Sequence, residues 1–221
     1  TCPDLAAAVI AVVDIANKSF GLREPTHANY IFNSPKTPVI DVRFAYNSYE
    51  ADDSFGRIKT VMGVGWTHTY NEFLFSQRGH MFRYGPEGRV AMYQLGAGGT
   101  YTPDVGHFET LVKQPDGTFL LTDKGGTAYL YGLVPNTPYV YVGPAYRLLS
   151  ITDRNGNVIR LTYVNGLLTN VTDPYGRSFD FAYNSANLLA SVTSKPDIYD
   201  PSKNRTTYVT YDATNTQLIK I

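Results

Sequence analysis

From about Asn29 onward the chain is built of short runs in which apolar and polar residues alternate, each closed by turn residues. Alternation at period two sends successive side chains to opposite faces of a strand. In Val39-Ile-Asp-Val-Arg-Phe-Ala-Tyr46, one face carries Ile40, Val42, Phe44 and Tyr46 and the other Val39, Asp41, Arg43 and Ala45, which predicts a half-buried strand. Phe73 to Phe75, His80 to Tyr84, Arg89 to Leu95, Phe108 to Val112, Thr118 to Thr122 and Ala128 to Tyr131 predict further strands. Between them stand Arg78-Gly79, Pro86-Glu-Gly88, Gln114-Pro-Asp-Gly117 and Asp123-Lys-Gly-Gly126, whose glycines supply the positive φ that tight hairpins need. Strand and turn recurring about every ten residues mark a meandering antiparallel sheet.

The N-terminal segment follows another rhythm. Leu5, Val9, Val12, Val13 and Ala16 fall on one helical face, predicting a short amphipathic helix within Leu5 to Ala16. About 12 residues, flanked by Asp4 and interrupted by Asp14, are too few for the roughly 20 that span a bilayer. A basic leading region, the mark of a signal peptide, is missing. Thr1 rather than Met opens the chain, so we expect a processed or excised product.

Beyond Tyr146 an internal repeat appears. Leu148-Leu-Ser-Ile-Thr-Asp-Arg-Asn-Gly-Asn-Val-Ile-Arg-Leu-Thr-Tyr163 aligns with Leu168-Thr-Asn-Val-Thr-Asp-Pro-Tyr-Gly-Arg-Ser-Phe-Asp-Phe-Ala-Tyr183. Asp153, Gly156 and Tyr163 thereby sit over Asp173, Gly176 and Tyr183. A third copy starts at Leu189-Ala-Ser-Val-Thr193, takes an insertion from Ser194 to Ser202, and resumes at Arg205 to Asp212; a fourth starts at Gln217. Each copy reads as one hairpin, which is marginal alone and gains stability by lying beside its neighbours.

This repeat resembles the YD repeat of the Rhs family, on Gly156 to Tyr163, Gly176-Arg177 to Tyr183 and Tyr208-Val-Thr-Tyr-Asp212. Only Tyr211-Asp212 keeps the naming dipeptide. Phe44-Ala-Tyr-Asn-Ser48 and Gly63-Val-Gly-Trp-Thr-His-Thr-Tyr70 are similar to the stretch that precedes the repeats in that family. The resemblance implies an antiparallel β ribbon spiralling into a hollow shell, which in the family encloses a toxic C-terminal domain or serves surface adhesion. With so few repeats this chain forms an arc, whose end strands are edges ready to pair with more chain or another copy.

Composition narrows the chemistry. Tyr accounts for 18 residues, a side chain suited to half-buried sheet. Nineteen basic and nineteen acidic side chains cancel, leaving no electrostatic footprint for nucleic acid or an anionic membrane. Cys2, the one cysteine, allows no intrachain disulfide or thiolate metal site, though an intermolecular disulfide stays open. His27, His68, His80 and His107 lack metal-ligand spacing; His68 and His80 meet only if a hairpin brings them together, and otherwise read as half-exposed strand residues. Asp173-Pro-Tyr-Gly176 is similar to the self-cleaving aspartyl motif of some family members, but its place in a repeat turn favours geometry over chemistry. Asp52-Asp53 and Asp116 read as turn residues, and Gly96-Ala-Gly-Gly99 as a loop without phosphate-loop features. Trp66 reads as core rather than a sugar platform, and Tyr129, Tyr131, Tyr139, Tyr141 and Tyr146 as cross-strand packing rather than an exposed aromatic surface. Asn17, Asn170 and Asn204 begin glycosylation sequons.

The expected fold is all-β: antiparallel, meandering β-hairpin repeats in a curved or spiralling sheet with a short N-terminal helix. Three parts follow: a helical docking segment over 1–28, a leading β domain over 29–146 and YD-type hairpins over 147–221. No catalytic, cofactor or metal residues are assigned. The expected role is a structural, non-catalytic segment of a secreted or cell-surface, bacterial protein. A subunit that self-assembles head-to-tail into a filament and a carbohydrate-binding module are the alternatives, with partners met through open sheet edges or as surface glycans.

Overall fold

The computed structural model describes residues 10–14, 19–20, 40–47, 59–96, 100–138, 145–214 and 218–221. Its strands are β1 (Ile10–Asp14), β2 (Ser19–Phe20), β3 (Arg43–Asn47), β4 (Lys59–Thr60), β5 (Gly63–Val64), β6 (Trp66–His68) and β7 (Phe73–Gln77). Next come β8 (His80–Tyr84), β9 (Val90–Leu95), β10 (Thr100–Pro103), β11 (Thr110–Lys113), β12 (Phe119–Thr122), β13 (Ala128–Leu133) and β14 (Ala145–Thr152). The last are β15 (Val158–Val164), β16 (Leu167–Thr172), β17 (Ser178–Tyr183), β18 (Leu189–Lys195), β19 (Arg205–Tyr208), β20 (Thr210–Tyr211) and β21 (Leu218–Lys220). One 3-10 turn, Pro201–Lys203, lies inside the insertion of the third repeat.

From β7 to β14 each strand pairs antiparallel with the next, and β14 pairs back onto β7, so eight strands close into a ring. Closure rests on β14, which serves three neighbours. One edge lies along β13 from Tyr146 to Thr152, while the other is divided: Ala145 to Arg147 face β7, and Ser150 to Thr152 face β15. The meander thus curls into a barrel and, from the same strand, launches the ribbon β15 to β19.

Register puts Met81 opposite Tyr93, Leu111 opposite Leu121, and Phe119 opposite Tyr131, which in turn faces Leu148. All are buried, and this face fills the ring. Phe119 reaches Tyr101 at 5.8 Å and Tyr146 at 4.7 Å, edge to face, so rings from three strands interlock. On the other face of β7 and β8, Phe73, Phe75 and Tyr84 form a second buried cluster with Ala145, and Phe73 stacks on Tyr84 at 4.9 Å. Both faces of β7 are therefore covered, which explains its unbroken Phe-Leu-Phe.

A smaller sheet runs β2-β1-β3-β6. Here the expected N-terminal helix is corrected: Ile10–Asp14 is a strand, paired residue for residue with Arg43–Asn47. Ile10, Val12 and Val13 are β-branched and stiff at χ1, which favours strands, and pairing with β3 overrides a helical period only a few residues long.

Identical turns join many of the hairpins. In Asp153–Asn157, Asp173–Arg177, Asp123–Thr127 and Asn184–Leu188, the first residue's N–H donates to the fifth residue's carbonyl, and its own carbonyl accepts from the fourth N–H. The first side chain braces the loop: Asp153 Oδ1 accepts from the amides of Asn155 and Asn157, and Asp173 Oδ1 from those of Tyr175 and Arg177. The β15–β16 link instead uses Asn165-Gly166, both at positive φ, the two-residue hairpin turn.

Two of these glycines differ in surroundings. A Cβ on Gly156 (φ +83°) meets nothing within 4 Å, whereas one on Gly166 (φ +80°) falls 2.1 Å from the Asn136 carbonyl oxygen. Gly156→Ala is expected to cost about 1–2 kcal/mol, the left-handed penalty alone. Gly166→Ala adds a backbone collision and is expected to cost about 3 kcal/mol or more. Urea unfolding of the two variants checks the ranking.

Candidate functional site

Four tyrosines occupy one structural position. Register shifts fall between Leu130 and Tyr131, Thr162 and Tyr163, Ala182 and Tyr183, and Thr210 and Tyr211. After each shift the tyrosine faces a leucine: Leu148, Leu168, Leu189 and Leu218 respectively. Such bulges interrupt the ladder of backbone hydrogen bonds. In the repeats the next tyrosine fills the gap: the hydroxyl of Tyr163 donates to the Leu148 carbonyl at 2.8 Å, Tyr183 to Leu168 at 2.8 Å and Tyr211 to Leu189 at 2.9 Å. Each hairpin is thus tied to the one before it. Burial raises the pKa of Tyr163 and Tyr183, keeping both hydroxyls protonated as donors.

Tyr163 and Tyr183 also line a small cavity with Val61, His68, Asn71, Arg147 and the β15–β16 turn. Arg147 comes from β14 and is buried. Its Nη1 donates to Asn71 Oδ1 at 3.0 Å, its Nη2 to the Pro138 carbonyl at 3.4 Å, and its guanidinium lies 4.9 Å from the Phe73 ring centre. His68, 1% exposed, accepts the Tyr70 amide on Nδ1 and lies against the Phe181 ring at 5.3 Å. Desolvation, then the nearby Arg147 charge, lowers its pKa to about 3. The imidazole is neutral, with its proton on Nε2.

A second polar cluster sits within the ring. Arg83 donates to Glu72 Oε2 through Nε at 3.0 Å and Nη2 at 2.7 Å, and Tyr131 donates to the same oxygen at 2.8 Å. Burial, the largest single influence, pulls the Arg83 pKa down, but the charge and hydrogen bond of Glu72 together with Tyr131 and Tyr93 make the net shift upward. Tyr93 donates to Glu109 Oε1 at 2.9 Å, and His107 Nδ1 lies 3.2 Å from that oxygen. Arg83 and Glu72 satisfy one another, which is the condition for holding charge inside a small barrel.

His68 departs from its expected half-exposed setting because β6 pairs with β3 and lies against the repeat ribbon. His80 stands on β8 opposite Gln77, so no hairpin brings the two together, and no group of three or more potential metal ligands forms among the described residues. Asp173 is buried in its turn, both oxygens engaged, Oδ2 by Arg177 Nε at 2.6 Å. Asp116 braces its own turn through Thr118. Trp66 is half-buried beside Tyr46 at 5.2 Å and packs on the core. Tyr131 is fully buried, Tyr129 lies under Arg83 and Tyr146 against Phe119. Asn170 donates across strands to Asp180 at 2.7 Å, and Asn204 caps the 3-10 turn. Cys2, Asn17, His27, Asp52, Asp53, the loop 97–99, Tyr139, Tyr141 and Gln217 lie outside the described residues. Arg147, Glu72 and Arg83 were not singled out in the sequence, where an isolated charge in an apolar strand was the available signal.

The RHS Repeat family matches residues 147–178, from β14 to the first residue of β17. The matched segment carries the first tyrosine tie, from Tyr163 to the Leu148 carbonyl. Fifteen solved chains match it. One is the N-terminal domain of effector protein SpvB from Salmonella typhimurium strain LT2, with a TM-score of 0.51 and 15% identity, over 83% of this chain and 95% of that one. At that identity the likeness is one of fold. No curated protein matches the chain.

His68 makes stability depend on pH. The unfolded histidine titrates near 6.5 and the folded one at about 3, so between these values the unfolded chain binds the extra proton. Stability therefore falls as pH drops below 6.5. Between pH 7 and pH 5 this site is expected to remove about 2 kcal/mol. Urea unfolding of the protein and of His68→Gln at both pH values checks it, and the variant is expected to lack that part of the slope.

Proposed function

We propose that this chain is a structural, non-catalytic segment of a secreted or cell-surface RHS-repeat protein, a scaffold that grows by adding hairpins. The supporting observation is the repeated tie: Leu148, Leu168 and Leu189 each receive a tyrosine, and Leu218 stands in the equivalent place opposite Tyr211. A following hairpin would lay its own strand along β21 and its tyrosine over Leu218. The matched RHS repeat and the shared fold support this reading, and no helix among the described residues is long and apolar enough to cross a membrane.

A second reading, head-to-tail assembly into a filament or adhesive fibre, draws on the same end of the sheet. Tyr208 on β19 and Ile219 on β21 are 70% and 64% exposed. In that reading another copy takes the place of the next hairpin. Exposed tyrosines such as Tyr175 and Tyr199 are the aromatic surface left for a glycan.

Leu218 to Ile221 align with Leu168 to Val171, so fusing a copy of residues 172–187 after Ile221 continues the repeat in register and tests the scaffold reading. Amide exchange at Leu218 to Lys220 is expected to slow at least about tenfold, the effect of roughly 1.4 kcal/mol of added local stability. Unchanged exchange counts against hairpin addition. Concentration-dependent filaments of the unextended chain, seen by electron microscopy, favour the second reading.

A further inference from the structure

The leucines that face the bulge tyrosines form a series. At Leu148 the carbonyl receives Tyr163, and the amide donates to the Glu72 carbonyl at 3.4 Å. At Leu189 the carbonyl receives Tyr211, and the amide donates to the Val61 carbonyl at 2.7 Å. The Tyr211 hydroxyl lies 3.5 Å from that same Val61 oxygen. Both amide acceptors belong to the segment between β4 and β7. Leu168 is the middle member, opposite Tyr163 after the same register shift, with Tyr183 on its carbonyl at 2.8 Å. Among the described residues, its amide is not donated to a carbonyl of that segment. Leu168 is buried, and a buried N–H without an acceptor is costly.

The cavity described above lies at this middle position, lined by Leu168, His68, Tyr163 and Tyr183. His68 brings a second donor. Its Nδ1 accepts the Tyr70 amide, which leaves the proton on Nε2. That N–H has no protein partner among the described residues, yet water-sized space reaches it. The Tyr163 and Tyr183 hydroxyls donate to carbonyls, and their oxygens keep lone pairs that accept. Two donors and two acceptors thus surround room for a single water.

We propose that this cavity binds one structural water, which takes the part at Leu168 that the Glu72 and Val61 carbonyls take at Leu148 and Leu189. The water accepts from Leu168 N–H and His68 Nε2–H and donates to the hydroxyl oxygens of Tyr163 and Tyr183. An anion has no proton for the hydroxyls, and a cation has no lone pair for the two N–H groups. His68 is the positioning residue of the site. The segment before β7 is thereby docked on three successive leucines, directly at the outer two and through water at the middle one.

A crystal structure of the unaltered protein is expected to show density within hydrogen-bonding distance of both Leu168 N and His68 Nε2. In solution, nitrogen spectra of histidine-labelled protein are expected to place the His68 proton on Nε2, with magnetisation transfer to a long-lived water. His68→Phe keeps a flat ring and removes the donor. It is expected to lose the density and to speed exchange of the Leu168 amide at least about tenfold. If that variant fails to fold, the crystals and spectra of the unaltered protein still decide. No density at that position, a His68 proton on Nδ1, or density unchanged in His68→Phe would overturn the proposal.

Discussion

A buried hydroxyl donated to a carbonyl at a break in the ladder is the interaction on which the repeat ribbon depends. A β-bulge bends a strand and leaves a backbone group without its cross-strand partner. Buried in a sheet, such a group costs about 1–3 kcal/mol unless it finds another donor. Here the donor is a tyrosine from the following hairpin. Tyr163 on Leu148, Tyr183 on Leu168 and Tyr211 on Leu189 form a chain of ties in which each tyrosine also opens the next bulge. The bulge therefore creates both the curvature and the acceptor that fixes the next hairpin. The Ser194 to Ser202 insertion leaves the rule intact: between Tyr183 and Tyr211 the chain is longer, but the tie is the same.

Ring and ribbon share β14, and its two halves explain why they form one object. The first half closes the barrel against β7, the second starts the repeats against β15, and Leu148 between them accepts the first tyrosine. Arg147 stands beside Leu148 on the opposite face and reaches toward Asn71, ahead of β7, and the Pro138 carbonyl, ahead of β14. Polar residues are buried here where three parts of the chain converge. The Glu72, Arg83 and Tyr131 cluster does the same within the ring, with Tyr131 keeping the bulge position while its hydroxyl turns to a carboxylate.

Much of this was legible in the sequence because turn chemistry and period are local. The Asp153/Asp173 and Gly156/Gly176 coincidences mark real turns, and Tyr163 and Tyr183 lie on strands in equivalent places. The third copy resumes at Arg205 as its pattern requires. What escaped depends on distant partners. Asp123 to Tyr131 has the same turn and the same bulge, but its tyrosine follows the aspartate by eight residues instead of ten, so alignment at a fixed spacing passed it over. Ring closure through β14 and burial of His68 depend on pairings far along the chain. The N-terminal segment carried a helical period only a few residues long, and β3 offered it an edge.

Conservative removal of the hydroxyls tests the central claim most directly. Tyr163→Phe and Tyr183→Phe keep the ring and delete the donor, and Tyr208→Phe, on an exposed tyrosine of β19, serves as the control. Equilibrium unfolding is expected to show losses of about 1–3 kcal/mol for each buried substitution and within about 0.5 kcal/mol of zero for the control. If all three variants unfold at the same denaturant concentration as the parent, the ties do not hold the ribbon together.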